Sequence, residues 1–187
     1  MELIFHPYKI RSLALIDSEK IYEYLQDFEI VKFLATVPSP YLLENALSFI
    51  LFANAKEKEK TEFHYAIANV DDDKMLGLIG VKEINFQTGT CEIGYWLGRE
   101  NHNKGIITQA INKISSYCFD ELDLCLIKAG VFESNKASIK ALEKAGFHNA
   151  GFSEKLYCNT ILKEKMYEFH LVKENFVPRE TGKQSTT

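Results

Sequence analysis

The sequence predicts an α/β (α+β) fold whose mixed central sheet has about seven strands, with helices on both faces. Three consecutive β-rich segments are joined by short turns and therefore form an antiparallel meander; they are Phe63–Val70, Met75–Ile84 and Cys91–Leu97. The third is followed by an amphipathic helix and the apolar segment Leu126–Phe132, which together make a parallel crossover. With 46% hydrophobic residues, 13 Phe and 9 Tyr, the 187 residues can bury one continuous core. We therefore expect a single domain over residues 1–177 and a frayed tail over residues 178–187.

The N-terminal pattern is a strand followed by a helix. Residues Ile10–Leu15 alternate modestly between apolar and polar and predict a first strand. Asp17 and Ser18 are good N-caps for a helix whose apolar residues recur at helical spacing, namely Ile21, Leu25 and Phe28. The order of strand and helix opens an α/β pattern.

A second helix is predicted over Tyr41–Lys58, after Pro38 and Pro40 close the preceding connection. One face of this helix is apolar and carries Ala46, Phe49, Ile50 and Ala53. The helix ends in the alternating charges of residues 56–60, which are typical of a solvated helix end. A peptide-binding surface is the alternative interpretation, but alternating signs produce little electrostatic field.

The first hairpin of the meander is closed by the turn Asp71–Lys74, which contains three consecutive aspartates. Calcium binding is the alternative function of these aspartates. The segment lacks the alternating oxygen ligands, the central glycine and the closing glutamate of a calcium loop, so the turn is favoured. The next turn, residues 85–90, leads into the strand Cys91–Leu97.

The helix after the meander has the clearest amphipathic pattern in the chain and should pack on a sheet along its whole length. Its apolar residues are Ile107, Ala110, Ile111, Ile114, Tyr117 and Cys118. The strand Leu126–Phe132 that follows has almost no polar residue on either face, as expected of a central strand covered on both sides.

Ser134 or Asn135 caps one more helix, which contains Ile139 and Leu142 and stops at Gly146. Two final strands are predicted over Phe152–Cys158 and Lys165–Val172, with Asn159 and Thr160 between them.

Composition excludes several classes of partner. The net charge of −4 and a pI near 5.8 argue against a nucleic-acid surface, which requires a basic stripe, and mildly favour a basic substrate. The cysteines, Cys91, Cys118, Cys125 and Cys158, contain no CxxC pair and are expected to be thiols of a reducing cytosol. The N-terminus lacks a signal-peptide pattern and no apolar run approaches ~18 residues, so we expect a cytoplasmic protein without a membrane partner.

The stretch Cys91–Ile111 runs from an apolar strand through a glycine-bearing turn into a helix. Such a junction presents free backbone N–H groups and the positive end of a helix dipole to an anion. A phosphate-bearing cofactor is therefore predicted above the turn, with a tight turn that binds nothing as the alternative role of Gly105.

Two motifs in this part of the chain resemble those of the GNAT acetyltransferase superfamily. Residues 92–110, EIGYWLGRENHNKGIITQA, are similar to its EIGYWL strand and its acetyl-CoA loop, Q-x-x-G-x-G/A. Residues 131–147, VFESNKASIKALEKAGF, are similar to its second signature, in which Asn is followed by Ser three residues later. The wording of both motifs is typical of the ribosomal-protein N-acetyltransferase branch. The resemblance implies a GNAT fold with a splayed pair of parallel strands.

The resemblance also implies where acetyl-CoA is held. The pantetheine arm would lie between the strand at Tyr95, Trp96 and Leu97 and the strand at Val131 and Phe132, and amides near Trp96 and Leu97 would supply the oxyanion donor. The phosphates would lie against the turn and first helical residues, His102, Asn103, Lys104, Gly105, Ile106, Ile107, Thr108 and Gln109. His102, Asn103 and Ile107 depart from the family's usual loop residues.

Three side chains are given roles by the resemblance. Glu92 would be the base that accepts the amine proton, directly or through a water, with an exposed glutamate paired to a lysine as the alternative. Ser138 would protonate the CoA thiolate, because the family's tyrosine position is occupied here by Leu142; a first-turn serine bonded to backbone is the alternative. Asn135 would reach the cofactor arm as well as cap the helix.

The function predicted from these motifs is transfer of an acetyl group from acetyl-CoA to an amine by direct attack in a ternary complex, without a metal. The acceptor is expected to be a protein N-terminus of the ribosomal-protein type. A small amine, such as a polyamine, an amino sugar or a drug, is the first alternative, and a non-catalytic CoA-binding sensor is the second. Pairing of terminal strands in a homodimer is a further expectation. His6, His64, His148 and His170 show no metal-binding spacing.

Overall fold

Among the residues described in this computed structural model, 1–34, 37–156 and 163–178, eight strands form one mixed sheet. In chain order the strands are β1 Glu2–Phe5, β2 Tyr8–Ser12, β3 Phe63–Asn69, β4 Met75–Asn85, β5 Thr90–Leu97, β6 Leu126–Phe132, β7 His148–Leu156 and β8 Lys163–Val172. Their order across the sheet is β1-β2-β3-β4-β5-β6-β8-β7. β5 and β6 pair in parallel, and every other neighbouring pair is antiparallel. The predicted meander and parallel crossover are thereby confirmed.

Helices cover both faces of this sheet, as predicted. They are α1 Asp17–Tyr24, α2 Phe28–Val31, α3 Leu43–Glu59, α4 Ile106–Asp120 and α5 Lys136–Lys144, with 3₁₀ turns at Arg99–Asn101 and Lys173–Asn175. One face of the sheet buries α4 and α5, through residues such as Ile111 and Leu142. The other face buries α1, α2 and α3, through residues such as Ile21 and Ile50. Among the described residues, no helix is both long and apolar enough to cross a membrane.

The N-terminal prediction was incomplete. The first strand was predicted over Ile10–Leu15, whereas the chain forms a hairpin of β1 and β2 that ends at Ser12. β1 was missed because four residues are too short for an alternating pattern to stand out. The helix predicted to continue through Phe28 is interrupted, and Phe28 begins α2 with 70% of its surface exposed.

The predicted N-cap of α1 was also wrong. Ile16 occupies the cap position, and Asp17 is the first helical residue. Its carboxylate accepts hydrogen bonds from the Arg11 guanidinium, at 2.7 and 2.9 Å, and from the Ala14 amide at 2.8 Å. An ion pair with Arg11 of β2 therefore replaced the cap that the sequence suggests.

The central elements agree with the prediction within two residues. β3, β4, β5, α3 and α4 begin or end within that margin, and β6 has the predicted bounds. Asn135 is the N-cap of α5, and its side chain accepts a hydrogen bond from the Ser138 amide. Gly146 has a φ of +93°, the left-handed conformation expected after a helix end. Cys158, Asn159, Thr160 and residues 179–187 lie outside the described residues.

The parallel strands β5 and β6 separate along their length. They pair at three positions, Thr90 with Leu126, Cys91 with Ile127, and Glu92 with Lys128. β5 then continues to Leu97 and β6 to Phe132, with the two strands diverging. This splayed pair was implied by the resemblance and is confirmed.

Candidate active site

A groove of about 1750 Å³ passes through the gap between β5 and β6. The diverging segments Ile93–Leu97 and Ala129–Phe132 form its sides. On one face of the sheet the groove reaches the N-termini of α4 and α5. On the other face of the sheet, the groove opens between the helices α2 and α3 and the strands β3 and β4. The gap therefore connects two binding regions on opposite faces of the sheet.

The turn before α4 has the backbone geometry of an anion site. Gly105 is the N-cap with a φ of +74°, and Asn103 has a φ of 60°, so two left-handed residues turn the chain into the helix. The amides of Ile106, Ile107 and Thr108 are the first of the helix and have no intrahelical acceptor. These amides and the helix dipole favour a phosphate group at this end of the groove.

His102 stabilises this turn in an unexpected way. Its Nε2 donates a hydrogen bond to the carbonyl oxygen of Leu97, at 3.1 Å, and so ties the turn to the end of β5.

The N-terminus of α5 brings two hydroxyl groups together. The Oγ of Ser138 lies 2.8 Å from the Oη of Tyr95 on β5. Burial raises the pKa of Tyr95, although the hydrogen bond to Ser138 partly opposes this effect, so the phenol keeps its proton at neutral pH. Ser138 also donates its amide to the Asn135 side chain at 3.1 Å. The capping role of Asn135 is therefore present, and both side chains border the groove.

Glu92 borders the groove beside the point where β5 and β6 separate. It stands opposite Lys82 on β4, and the Lys82 Nζ lies 2.9 Å from its carboxylate. The lysine-paired glutamate considered as the alternative is thus what the contacts show. The side chain of Glu92 is 28% exposed and borders the groove, so the ion pair leaves the carboxylate accessible from the groove.

Most of the predicted site residues meet at this groove. Those that line it are Glu92, Tyr95, Trp96, Leu97, His102, Asn103, Gly105, Ile106, Ile107, Thr108, Asn135 and Ser138. Lys104 and Gln109 are not among its lining residues. Lys104 is exposed on the turn, and the side-chain nitrogen of Gln109 lies 3.9 Å from where a Cβ on Gly105 would stand.

The sequence did not single out the side chains on the opposite face of the sheet. His64 of β3, Phe49 and Phe52 of α3, and Gly80 of β4 also line the groove. One signal was available: His64 occupies the same face of β3 as Ala66 by the period of two, so a titratable group interrupts an otherwise apolar face. Sequence alone could not show that α3 packs its aromatic rings against this histidine.

The described residues show neither metal nor thiol chemistry at the groove. Within residues 1–34, 37–156 and 163–178, no three His, Cys, Asp or Glu side chains are grouped to hold a metal ion. The thiols of Cys91 and Cys118 are buried against each other, and hydrogen bonding to Cys91 together with burial raises the pKa of Cys118. A thiol of this kind stays protonated and is a poor nucleophile.

Comparison with known proteins gives a consistent family. Residues 9–148 match the family model described as an acetyltransferase (GNAT) domain. YjcK of Bacillus subtilis (strain 168), described as a probable N-acetyltransferase, is 34% identical over 116 residues, which are 62% of this chain and 64% of YjcK. The matched segment is therefore slightly less than two thirds of that relative.

Two solved structures share the fold at lower sequence identity. The ribosomal-protein-S5-alanine acetyltransferase of Vibrio fischeri is 22% identical with a TM-score of 0.83, over 95% of this chain and 100% of that one. The spermidine N-acetyltransferase of Vibrio cholerae, solved with CoA and spermine, is 18% identical with a TM-score of 0.78, over 90% of this chain and 97% of that one.

Proposed function

The chain belongs to the GNAT acetyltransferase family and is an acetyl-CoA-dependent N-acetyltransferase, and we propose that its acceptor is the N-terminal amine of a protein. The continuity of the groove is the observation that carries this proposal. One groove of about 1750 Å³ runs from the turn before α4, through the gap between β5 and β6, to an opening between α2 and α3 on the other face of the sheet. An acceptor that enters from this opening leaves the rest of its polypeptide outside the groove.

The proposed cofactor position uses both ends of the gap. The pyrophosphate would be held by the amides of Ile106, Ile107 and Thr108, and the pantetheine arm would lie along β5 between Tyr95 and Leu97. The edge of β5 that faces the gap has left its partner strand by this point, so its amides can bind the arm in the manner of an added strand. The thioester would then lie beside Glu92 and Ser138.

The proposed reaction is a direct transfer. The amine nitrogen attacks the thioester carbon, and the oxygen that becomes negative accepts a hydrogen bond from a β5 amide near Trp96 or Leu97. Glu92 accepts a proton from the nitrogen, directly or through a water. The C–S bond then breaks, and the thiolate takes the proton of the Ser138 hydroxyl, which is restored from water.

A small basic amine is the second candidate acceptor. Four carboxylates, those of Glu29, Glu83, Glu92 and Glu154, line the groove and can accept hydrogen bonds from an ammonium group, although six Lys and Arg side chains line it as well. The fold similarity to a spermidine acetyltransferase is compatible with this candidate.

Mass spectrometry of acetylated products separates the two acceptors. The protein should be incubated with acetyl-CoA and either a set of peptides with free N-termini or a panel that includes polyamines and amino sugars. We expect acetylation at the peptide α-amine, and a Glu92→Gln variant that retains acetyl-CoA affinity while its turnover falls about 100-fold. Acetylation confined to the small amines would reject the protein N-terminus as acceptor.

A further inference from the structure

His64 lies on the acceptor side of the groove in an enclosed position. Its side chain is 14% exposed and borders the groove. The imidazole packs edge-on against the ring of Phe49, with 5.3 Å between centroids, and against Phe52 at 6.1 Å. Its surroundings are therefore mostly aromatic, with one side open to the groove.

The hydrogen bond of His64 fixes which ring nitrogen has the lone pair. Nε2 lies 3.0 Å from the carboxylate of Glu62, which is an acceptor only, so Nε2 carries the hydrogen in the neutral ring. Nδ1 is then the proton acceptor. A Cβ atom placed on Gly80 would lie 3.0 Å from Nδ1. The lone pair of Nδ1 is therefore close to the backbone of β4, which forms the floor of the groove.

Two glycines open a space between His64 and the acetyl site. His64 is paired with Gly80 on β4, and Gly80 is paired with Gly94 on β5. A Cβ on Gly94 would have no described atom within 4 Å. Strands are roughly 4.8 Å apart, so about 10 Å separates the backbones of His64 and Gly94. The ring of His64 covers Gly80, and the surface above Gly94 is open to an acceptor amine.

We propose that His64, oriented by Glu62, removes the proton that the acceptor ammonium must lose before it can attack the thioester. This inference rests on the proposed function, because it assigns a second base to the same acceptor site. An alkylammonium has no lone pair, whereas the neutral amine is the nucleophile. The N–H bond breaks, its electron pair stays on the amine nitrogen, and the proton joins the lone pair of Nδ1.

The proton balance requires two acceptors, and the groove supplies two. After attack, the nitrogen of the tetrahedral intermediate carries a second proton that must leave, and Glu92 beside the thioester accepts it. One proton is taken up by the departing sulfur from Ser138, so one proton in total is released to solvent. The imidazolium formed on His64 is stabilised by the Glu62 carboxylate, in the way that an acidic partner stabilises a catalytic histidine.

The charged groups around His64 are consistent with this role. Glu62, which lies just before β3, is the hydrogen-bond partner of His64. Lys82 on β4 forms an ion pair with Glu92 on β5, with 2.9 Å between the Lys82 Nζ and the carboxylate. From α3 the ring faces Phe49 and Phe52, and Lys56 of that helix lies over the ring of Phe52 at 5.8 Å.

The test is the pH dependence of acetyl transfer by a His64→Gln variant, with the acceptor that the parent protein uses. For a peptide α-amine, whose pKa is roughly 7.7–8.0, we expect kcat/KM to fall about 100-fold at pH 7. At pH 9.5 the amine is neutral without help, so the deficit should shrink to a few-fold. For a small amine, the deficit should shrink near that amine's own pKa. Acetyl-CoA affinity should stay within twofold of the parent.

Two further variants make the result specific. Exogenous imidazole should restore part of the activity of His64→Ala, because it can occupy the space left by the ring. His148→Gln, a change of an exposed histidine on β7 that does not line the groove, should match the parent at every pH.

A His64→Gln deficit that is equal at both pH values, or no deficit, would overturn the role of His64. Failure of the protein N-terminus proposal is a different outcome, since it appears as parent activity confined to small amines.

Discussion

At the scale of single residues, the paired hydroxyls of Tyr95 and Ser138 support the acid role that we propose for Ser138. A serine hydroxyl can donate its proton to the thiolate only if its own oxygen is held in a suitable orientation. Tyr95 Oη lies 2.8 Å from Ser138 Oγ, and burial raises the pKa of Tyr95. The phenol therefore keeps its proton and can donate it to Ser138, which leaves the serine proton available to the sulfur.

Tyr95→Phe should lower kcat about tenfold and Ser138→Ala about 100-fold, with acetyl-CoA affinity within twofold of the parent in both.

Because the pKa of Tyr95 is raised above the ordinary phenol pKa of about 10, the phenol stays neutral up to and beyond pH 10. The pH profiles of the parent and Tyr95→Phe should consequently be parallel from pH 6 to 10. Steady-state kinetics with a thiol-detecting reagent provide the measurement. A loss of parent kcat near pH 9 that is absent in Tyr95→Phe would show that the phenol ionises, contrary to this account.

At the scale of elements, one arginine connects three parts of the fold. Arg11 of β2 donates to Asp17 at the start of α1, and to both the side chain and the carbonyl oxygen of Asp73 in the turn between β3 and β4. The side chain of Asp17 is 3% exposed and that of Arg11 is 11% exposed. Removal of Asp17 would leave the Arg11 guanidinium with only the more exposed Asp73 carboxylate as its counter-ion, which is more costly than the loss of a surface pair.

Asp17→Ala should lower the free energy of unfolding by about 3 kcal/mol, because Arg11 loses two buried hydrogen bonds and the Ala14 amide loses its acceptor. Urea unfolding followed by circular dichroism provides the measurement. Glu23→Ala on the same helix is a matched control, because it removes an exposed pair with Lys20 and should cost less than about 1 kcal/mol. Equal effects of the two substitutions would show that the buried ion pair contributes little.

At the scale of the whole molecule, the groove joins elements that belong to both faces of the sheet. The proposed cofactor contacts come from α4, β5 and α5, and the proposed acceptor contacts come from β3, β4 and α3. A ligand that binds the folded chain across these elements adds its binding free energy to their stability. Trp96, the one tryptophan in the sequence, lines the groove and can report the binding.

Acetyl-CoA at 100 times its dissociation constant should raise the free energy of unfolding by about 2.7 kcal/mol and change the fluorescence of Trp96. A chain that ends at Val177 should show the same stabilisation by acetyl-CoA, since the sequence after it has no apolar residue to bury except Pro178.

Gly105→Ala should weaken the binding of acetyl-CoA, because a left-handed φ of +74° is unfavourable for alanine. Thermal unfolding with and without acetyl-CoA measures each effect. An unchanged affinity of Gly105→Ala would argue that the turn before α4 does not hold the phosphates.

The sequence by itself determined the order of the elements from β3 to α5 and the turn before α4, since these are encoded locally. Apolar residues at a spacing of 3.6 or 2 identify α4 and the meander, and Gly105 marks the turn because few other residues adopt its φ. Only the tertiary structure decided which side chains face one another across the groove. Tyr95 and Ser138 are 43 positions apart, and Arg11 takes Asp17 away from its predicted cap. His64 became a candidate base when Phe49, Glu62 and two glycines were found around it. Periodicity assigns a residue to a face, whereas its chemistry depends on what the packing of other elements places opposite it.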